Sequence, residues 1–262
     1  MTAARAARRL AVAFAFALSF VASDVDAWPA PLMERLARDA RRLVPASLHR
    51  LLAEREEPSF QQMRRLPPEL GLMLARDLQG GRLRPSTLDA LRSEADVPVE
   101  LLRGTRVSEG LVRLGAIAWL PAHLSDPVLA GGAEGFPSGV VREYYAFVES
   151  NLSKIPVVLE DAASLDLASN DLPDYWQALV DRSRAQAAVI RSEMYVRGRV
   201  VDHRALDYRS PVFAVASLSY SRTVTAIAAT WLALWREANG DLTRRPATRP
   251  VVPPPLSPGV QP

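Results

Sequence analysis

Between Ser210 and Gly240 the chain carries an apolar stripe too long for a strand and spaced for a helix. Val215, Leu218, Ala226, Ile227, Trp231, Leu234 and Trp235 mark its buried face. Ser210 is a good N-cap, Pro211 suits the first helical position, and Gly240 marks the end. A helix of roughly 28 residues runs about 40 Å, which predicts the central rod of a helical bundle. A membrane span is the competing reading. Arg222 near the middle, with Ser217, Ser219, Ser221, Thr223 and Thr225 scattered along the segment, argues against insertion, because an arginine inside a bilayer is costly.

The rest of the chain supports an all-α fold. Leu32, Leu36, Ala40 and Leu43 share one helical face; Pro45 and Ser47 end that helix and cap a second built on Leu48, Leu51 and Leu52. Pro67-Pro68 opens another through Leu70, Met73, Leu74 and Leu78, stopped by Gly80-Gly81. One more follows Pro85. The next, from about Ser108, carries Leu111, Leu114, Ile117 and Ala118 until Pro121 kinks or breaks it. Ser125 to Pro137 reads as a loop able to border a cleft. Ser138 to Asn151 reads as a helix with Val141, Tyr145 and Val148 inward, and Asp171 to Met194 as a helix through Trp176, Leu179 and Val180; Ile155 to Leu159 is too short to classify.

The two ends differ from this core. Residues 1–27 have a basic start (Arg5, Arg8, Arg9), an apolar stretch from Leu10 to Val21 and small residues before Trp28, the three parts of a secretory signal peptide. The apolar stretch is short for a bilayer span, so cleavage is expected. Val25 and Ala27 fit a cut before Trp28, and a cut after Ala22 or Ser23 is also allowed. The mature chain is then secreted or periplasmic. Residues 241–262 hold seven prolines and almost no large apolar side chains, which predicts a disordered tail. The expected organisation is a signal peptide over 1–27, a helical domain over 28–240 and a proline-rich tail over 241–262.

Composition narrows the chemistry. There is no cysteine, which excludes disulfides, thiolate zinc sites and a cysteine nucleophile, and only three histidines occur: His49, His123 and His203. A net charge of +3 is a weak argument for nucleic acid. Lys154 is the sole lysine.

Three stretches together resemble the zinc-dependent phospholipase C family, whose fold is shared with single-strand-specific zinc nucleases. "AWPAPLMERLARDARRLVPASLHRLL" is similar to the family's opening, "RLGAIAWLPAHLSDPVL" to its central helix, and "VREYYAFVESNLSKIP" with "DYRSPVFAVASLSYSRTVTAIAATWLALWREANG" to its later helices. The resemblance covers about residues 28 to 240 and implies a multi-helix bundle. It also implies that the first mature tryptophan holds metal through its amino group and carbonyl. This chain departs from the family at the imidazoles. The His-x-x-x-Asp pair falls on Trp119 and His123, a later histidine on Leu129, an early one near Met33, and the His-x-x-x-Glu pair on Gly139 and Glu143.

A multi-zinc phosphoesterase site needs more ligands than three histidines supply. His123 and Asp126 share a helix face at i, i+3, Glu143 matches a carboxylate position of the family, and with the Trp28 amino group these form a remnant holding either no metal or a single zinc ion. Two readings follow: a non-catalytic pseudoenzyme, with an envelope phospholipid or membrane surface as partner, or a metal-dependent phosphodiester hydrolase acting on phospholipid head groups. A third is a membrane-peripheral bundle unrelated to hydrolysis. In the bland reading His123 is partly buried near a kink, Asp126 caps a loop and Glu143 is a solvated charge. A Ser210, His203, Asp207 triad lacks nucleophile-elbow glycines, and "GGAEG" at 131–135 lacks the lysine of a phosphate loop. Arg191, Arg197, Arg199 and Arg204 are candidates for an anionic phosphate or lipid head group, or simply solvated charges. Trp119, Trp176, Trp231 and Trp235 read as core rather than as a base-stacking platform.

Overall fold

A computed structural model describes residues 28–65, 67–158, 165 and 172–242. The expected signal peptide and the tail beyond Leu242 lie outside the described residues. The fold is an all-helical bundle: α1 (Ala30–Ala40), α2 (Ala46–Glu54), α3 (Glu56–Met63), α4 (Pro68–Gly80), α5 (Pro85–Arg103), α6 (Val107–Ala116), α7 (Trp119–Ser125), α8 (Pro127–Ala130), α9 (Val140–Asn151), α10 (Leu172–Met194) and α11 (Pro211–Glu237). One small antiparallel hairpin, β1 (Tyr195–Val196) with β2 (Arg199–Val200), follows α10.

The rod α11 is the axis, packed against α1, α5, α7 and α10. Ser210 caps it through the Phe213 N–H at 3.2 Å. Among the described residues it is the one helix long and apolar enough to cross a membrane, and most of it is buried inside the bundle. Two of its buried hydroxyls bond within the bundle. Thr223 and Thr225 donate to the carbonyls of Ser219 and Ser221 one turn back (2.8 and 2.9 Å), and Thr223 also meets Ser125 of α7 at 2.8 Å. Termination falls one residue before the expected glycine, at Asn239, which takes the left-handed conformation (φ 59°). Gly240 is required for another reason: a Cβ there would sit 2.1 Å from the Trp235 ring.

Several expectations change. The helix expected through Ala118 stops at Ala116, and a new one starts at Trp119, so that Pro121 lies in the first turn of α7. A proline ring clashes with the carbonyl four residues before it, here that of Ile117, which moves the break upstream of the proline. The loop expected over Ser125–Pro137 contains α8, capped by the Asp126 side chain and opened by Pro127, and Ser125, Asp126, Val128 and Ala130 are buried. Helix α8 packs on α10 closely enough that a Cβ on Gly131 would lie 2.3 Å from the Cβ of Ala187. In α9 the inward face is Val140, Tyr144, Tyr145, Phe147 and Val148, while Val141 is only partly buried. Helix α3, absent from the sequence reading, is tied to α1 by Glu56, which accepts from Arg38 and Arg41 at 2.9 and 2.5 Å.

Candidate functional site

Of the four residues expected to hold metal, two meet. Asp126 lies at the junction of α7 and α8 and is completely buried. One carboxylate oxygen accepts the N–H groups of Val128 and Leu129 (2.8 and 3.3 Å), the helix-capping geometry, and the other accepts the Tyr145 hydroxyl at 2.7 Å. The backbone N–H of Trp28 donates to the same carboxylate. Trp28 itself is 1% exposed, its indole 6.4 Å from the Tyr144 ring and 6.0 Å from Tyr145. Burial pushes the Asp126 carboxyl up to about 6, opposed by the Tyr145 hydroxyl and then by the three N–H donors. Burial, with the charge of Asp126 as a second cause, raises the Tyr144 phenol well above its ordinary value.

Glu143 is engaged elsewhere. It projects from the first turn of α9 to the turn at His203–Ala205, where it accepts the His203 backbone N–H at 3.2 Å and pairs with His203 Nδ1 at 2.8 Å. The His203 side-chain hydrogen bond, then its backbone N–H, lowers the Glu143 carboxyl to about 2. Asp202 stands beside them, 3.6 Å from His203 Nδ1, and caps the Arg204 N–H at 2.8 Å. Glu143, Asp202 and His203 have ligand atoms within 4.8 Å of one another, whereas His123, Asp126 and Glu143 form no such group. His123 is turned onto its own helix, Nδ1 meeting the Trp119 carbonyl at 2.8 Å, with its ring edge-on to Trp119.

The remnant zinc set therefore does not fit as one coordination sphere. Asp126 has its oxygens occupied by neutral donors in a closed environment, and Glu143 is held by His203. Two shallow surface hollows open elsewhere: the first is lined by Arg65, Glu94, Arg113 and Trp119, the second by Arg38, Arg41, Phe60 and Trp231. The triad on paper does not assemble either. Ser210 donates to the Asp207 carbonyl at 2.7 Å, Asp207 accepts the Arg209 N–H at 2.8 Å, and His203 faces Glu143. Arg191 leaves the set of anion-binding candidates, since it donates to the Gly131 carbonyl at 2.7 Å and covers the Phe136 ring.

Two of the other arginine candidates, Arg197 and Arg199, lie exposed on the hairpin. Tyr195 is 39% and Val196 46% exposed, and Arg197, Gly198 and Arg199 form its exposed tip. Arg197 (φ 51°) and Gly198 (φ 77°) take the left-handed conformations of a tight turn that matches the strand twist. Beyond the strands, Arg204, Tyr208 and Arg209 are exposed as well. Spacing gave no signal for the Glu143–His203 pair, 60 residues apart, and the arginine count drew attention to the hairpin without revealing its apolar pair. Compared with protein-family models, with curated proteins and with solved structures, the chain gives no match.

Proposed function

We propose that this chain is an exported, non-catalytic helical protein, a divergent relative of zinc-dependent phospholipase C, that docks on an anionic phospholipid surface through the hairpin of residues 195–200. The observation that carries the reading is the exposure at that tip of an aromatic and a branched aliphatic side chain, Tyr195 and Val196, beside two arginines. Tyrosine suits the water–lipid boundary, with an apolar ring and a polar hydroxyl. Arginines near an anionic surface contribute about 1 kcal/mol each. Against catalysis stands the closed environment of Asp126: an open coordination position for water is what a hydrolytic zinc requires, and this carboxylate is fully buried.

The test is sedimentation of the exported protein with vesicles of phosphatidylglycerol and phosphatidylcholine, against pure phosphatidylcholine. Binding is expected only with the anionic lipid and is expected to fall with salt. Changing Arg197 and Arg199 together to alanine is expected to weaken it about thirtyfold, the equivalent of about 2 kcal/mol. Equal binding to neutral vesicles, or none to either, would overturn the docking. Release of head groups that a chelator abolishes would overturn the non-catalytic reading in favour of a hydrolase.

A further inference from the structure

The Asp126 carboxylate is an ionisable group with no exposure, and every partner the described residues give it is a neutral donor: the Tyr145 hydroxyl and the N–H groups of Val128, Leu129 and Trp28. A buried carboxylate with neutral partners alone costs free energy whenever it is charged, and a cation in contact with it offsets that cost. One of the four donors belongs to the residue at which a peptidase is expected to cut. That residue has an unusual burial for a chain start. Trp28 is 1% exposed and is packed on Tyr144 and Tyr145, so its main-chain nitrogen is held at the carboxylate by the side chain's own packing.

We propose that the Ala27–Trp28 bond is a processing site and that the α-ammonium released on Trp28 forms a buried ion pair with Asp126, a contact that cleavage alone creates. In the covalent step, an export peptidase adds water across the amide bond. The hydroxyl goes to the Ala27 carbonyl carbon, the C–N bonding pair stays on the Trp28 nitrogen, and that nitrogen takes a proton from water and a second from solvent to become the ammonium. Cutting takes place on the unfolded chain, before the tryptophan is enclosed. The ammonium then replaces the amide N–H at the same place, turning a neutral hydrogen bond into a charge-assisted one. The pairing also gives the remnant amino group a role that needs no metal. A chain that escapes cutting, or is cut at another bond, keeps an uncompensated carboxylate in its interior, so correct processing is coupled to the stability of this end of the bundle.

The inference shares the exported start with the proposed function and is independent of docking, so it can fail while vesicle binding stands. Every described element lies between Ala30 and Glu237, and a chain beginning at Trp28 keeps them all. Two such chains are compared, one starting at Trp28 with a free amine and one carrying a single alanine before it. The first is expected to melt at least about 4 °C higher. Because Lys154 is the sole lysine, each chain has two amines, and acylation followed by mass spectrometry reads the α-amine without overlap. In the Trp28-start chain that amine is expected to react at least about tenfold more slowly than in the extended one. Asp126→Asn is expected to abolish both differences; if this variant does not fold, the two starts still decide the matter. Equal melting and equal labelling would overturn the ion pair, as would a melting gap that disappears with chelator, which assigns the contact to metal. Sequencing of the exported full chain is expected to read Trp28 first, and another start would overturn the processing site.

Discussion

The Tyr220 hydroxyl donates to the Asp39 carboxylate at 2.7 Å, joining α11 to α1 across 181 residues of sequence. Both groups are buried, and Arg35 and Arg42 approach the same carboxylate at 3.5 and 3.0 Å. The bond fixes the rotation of α1, and with it the strand of chain that leads back to Trp28.

Removing that hydroxyl leaves a buried carboxylate oxygen without its donor. Tyr220→Phe is expected to destabilise the fold by about 1–3 kcal/mol, with the two arginines keeping the loss toward the lower end. Urea titration checks this, with an unchanged slope showing that the unfolded state is the same. A midpoint equal to that of the parent would mean that the arginines alone satisfy Asp39.

For a chain that retains residues ahead of Trp28, stability is expected to fall as pH rises. The Asp126 carboxyl titrates at about 6 in the fold against 3.8 ordinarily, so between those values the folded state binds more protons than the unfolded one. Unfolding free energy then decreases with pH across that window, by about 3 kcal/mol at about 1.4 kcal/mol per pH unit. Urea midpoints at about pH 4 and about pH 7, set against Asp126→Asn, isolate this contribution. A chain beginning at Trp28 is expected to show little of the slope. A rise in stability with pH that depends on Asp126 in the uncut chain would contradict the assigned burial.

Gly131 is expected to tolerate no methyl group. Its backbone is ordinary helix, and the constraint is the approach of α8 to α10: a Cβ would meet Ala187 Cβ at 2.3 Å and the Pro127 carbonyl at 2.9 Å. Gly131→Ala is expected to cost about 1–3 kcal/mol through overpacking. Adding Ala187→Gly removes the closer clash and is expected to recover part of the loss, which thermal unfolding of the pair of variants reads directly. No recovery would place the strain on the Pro127 carbonyl instead.

Much of this fold was legible because helical periodicity and proline or glycine punctuation act locally. The rod from Pro211 and the proline-opened helices at Pro68 and Pro85 follow from residues a few positions apart. Residues 125–137 misled because three glycines and two prolines suggest loop, while the Asp126-Pro127 pair is itself a helix start. The site was legible in one part only. The resemblance singled out Trp28 and helix-face spacing from His123 singled out Asp126, and the structure brings these two together; the same reading gave Glu143 to that centre, whereas α9 points that carboxylate at His203. Long-range pairing of this kind leaves no period or spacing to read, and it depends on which face α9 turns to the turn at 203–205.

Glu143→Gln tests what that pairing contributes. The carboxyl is lowered to about 2 in the fold from 4.5 ordinarily, so its charge stabilises the fold above about pH 4.5, and the contribution is lost as pH falls through about 2. The amide oxygen of glutamine can still accept one of the two His203 hydrogen bonds, so the substitution removes charge while keeping most of the shape. The parent is therefore expected to exceed the variant in urea midpoint at about pH 6, and the gap is expected to close toward about pH 2. The turn at His203 follows directly on β2, whose return is pinned by the Val201 N–H to the Met194 carbonyl at 2.9 Å, so the variant is also expected to loosen the base of the hairpin and weaken vesicle binding. A gap that stays constant from about pH 6 to about pH 2 would mean that the charge of Glu143 contributes nothing and that the turn is held by side-chain shape alone.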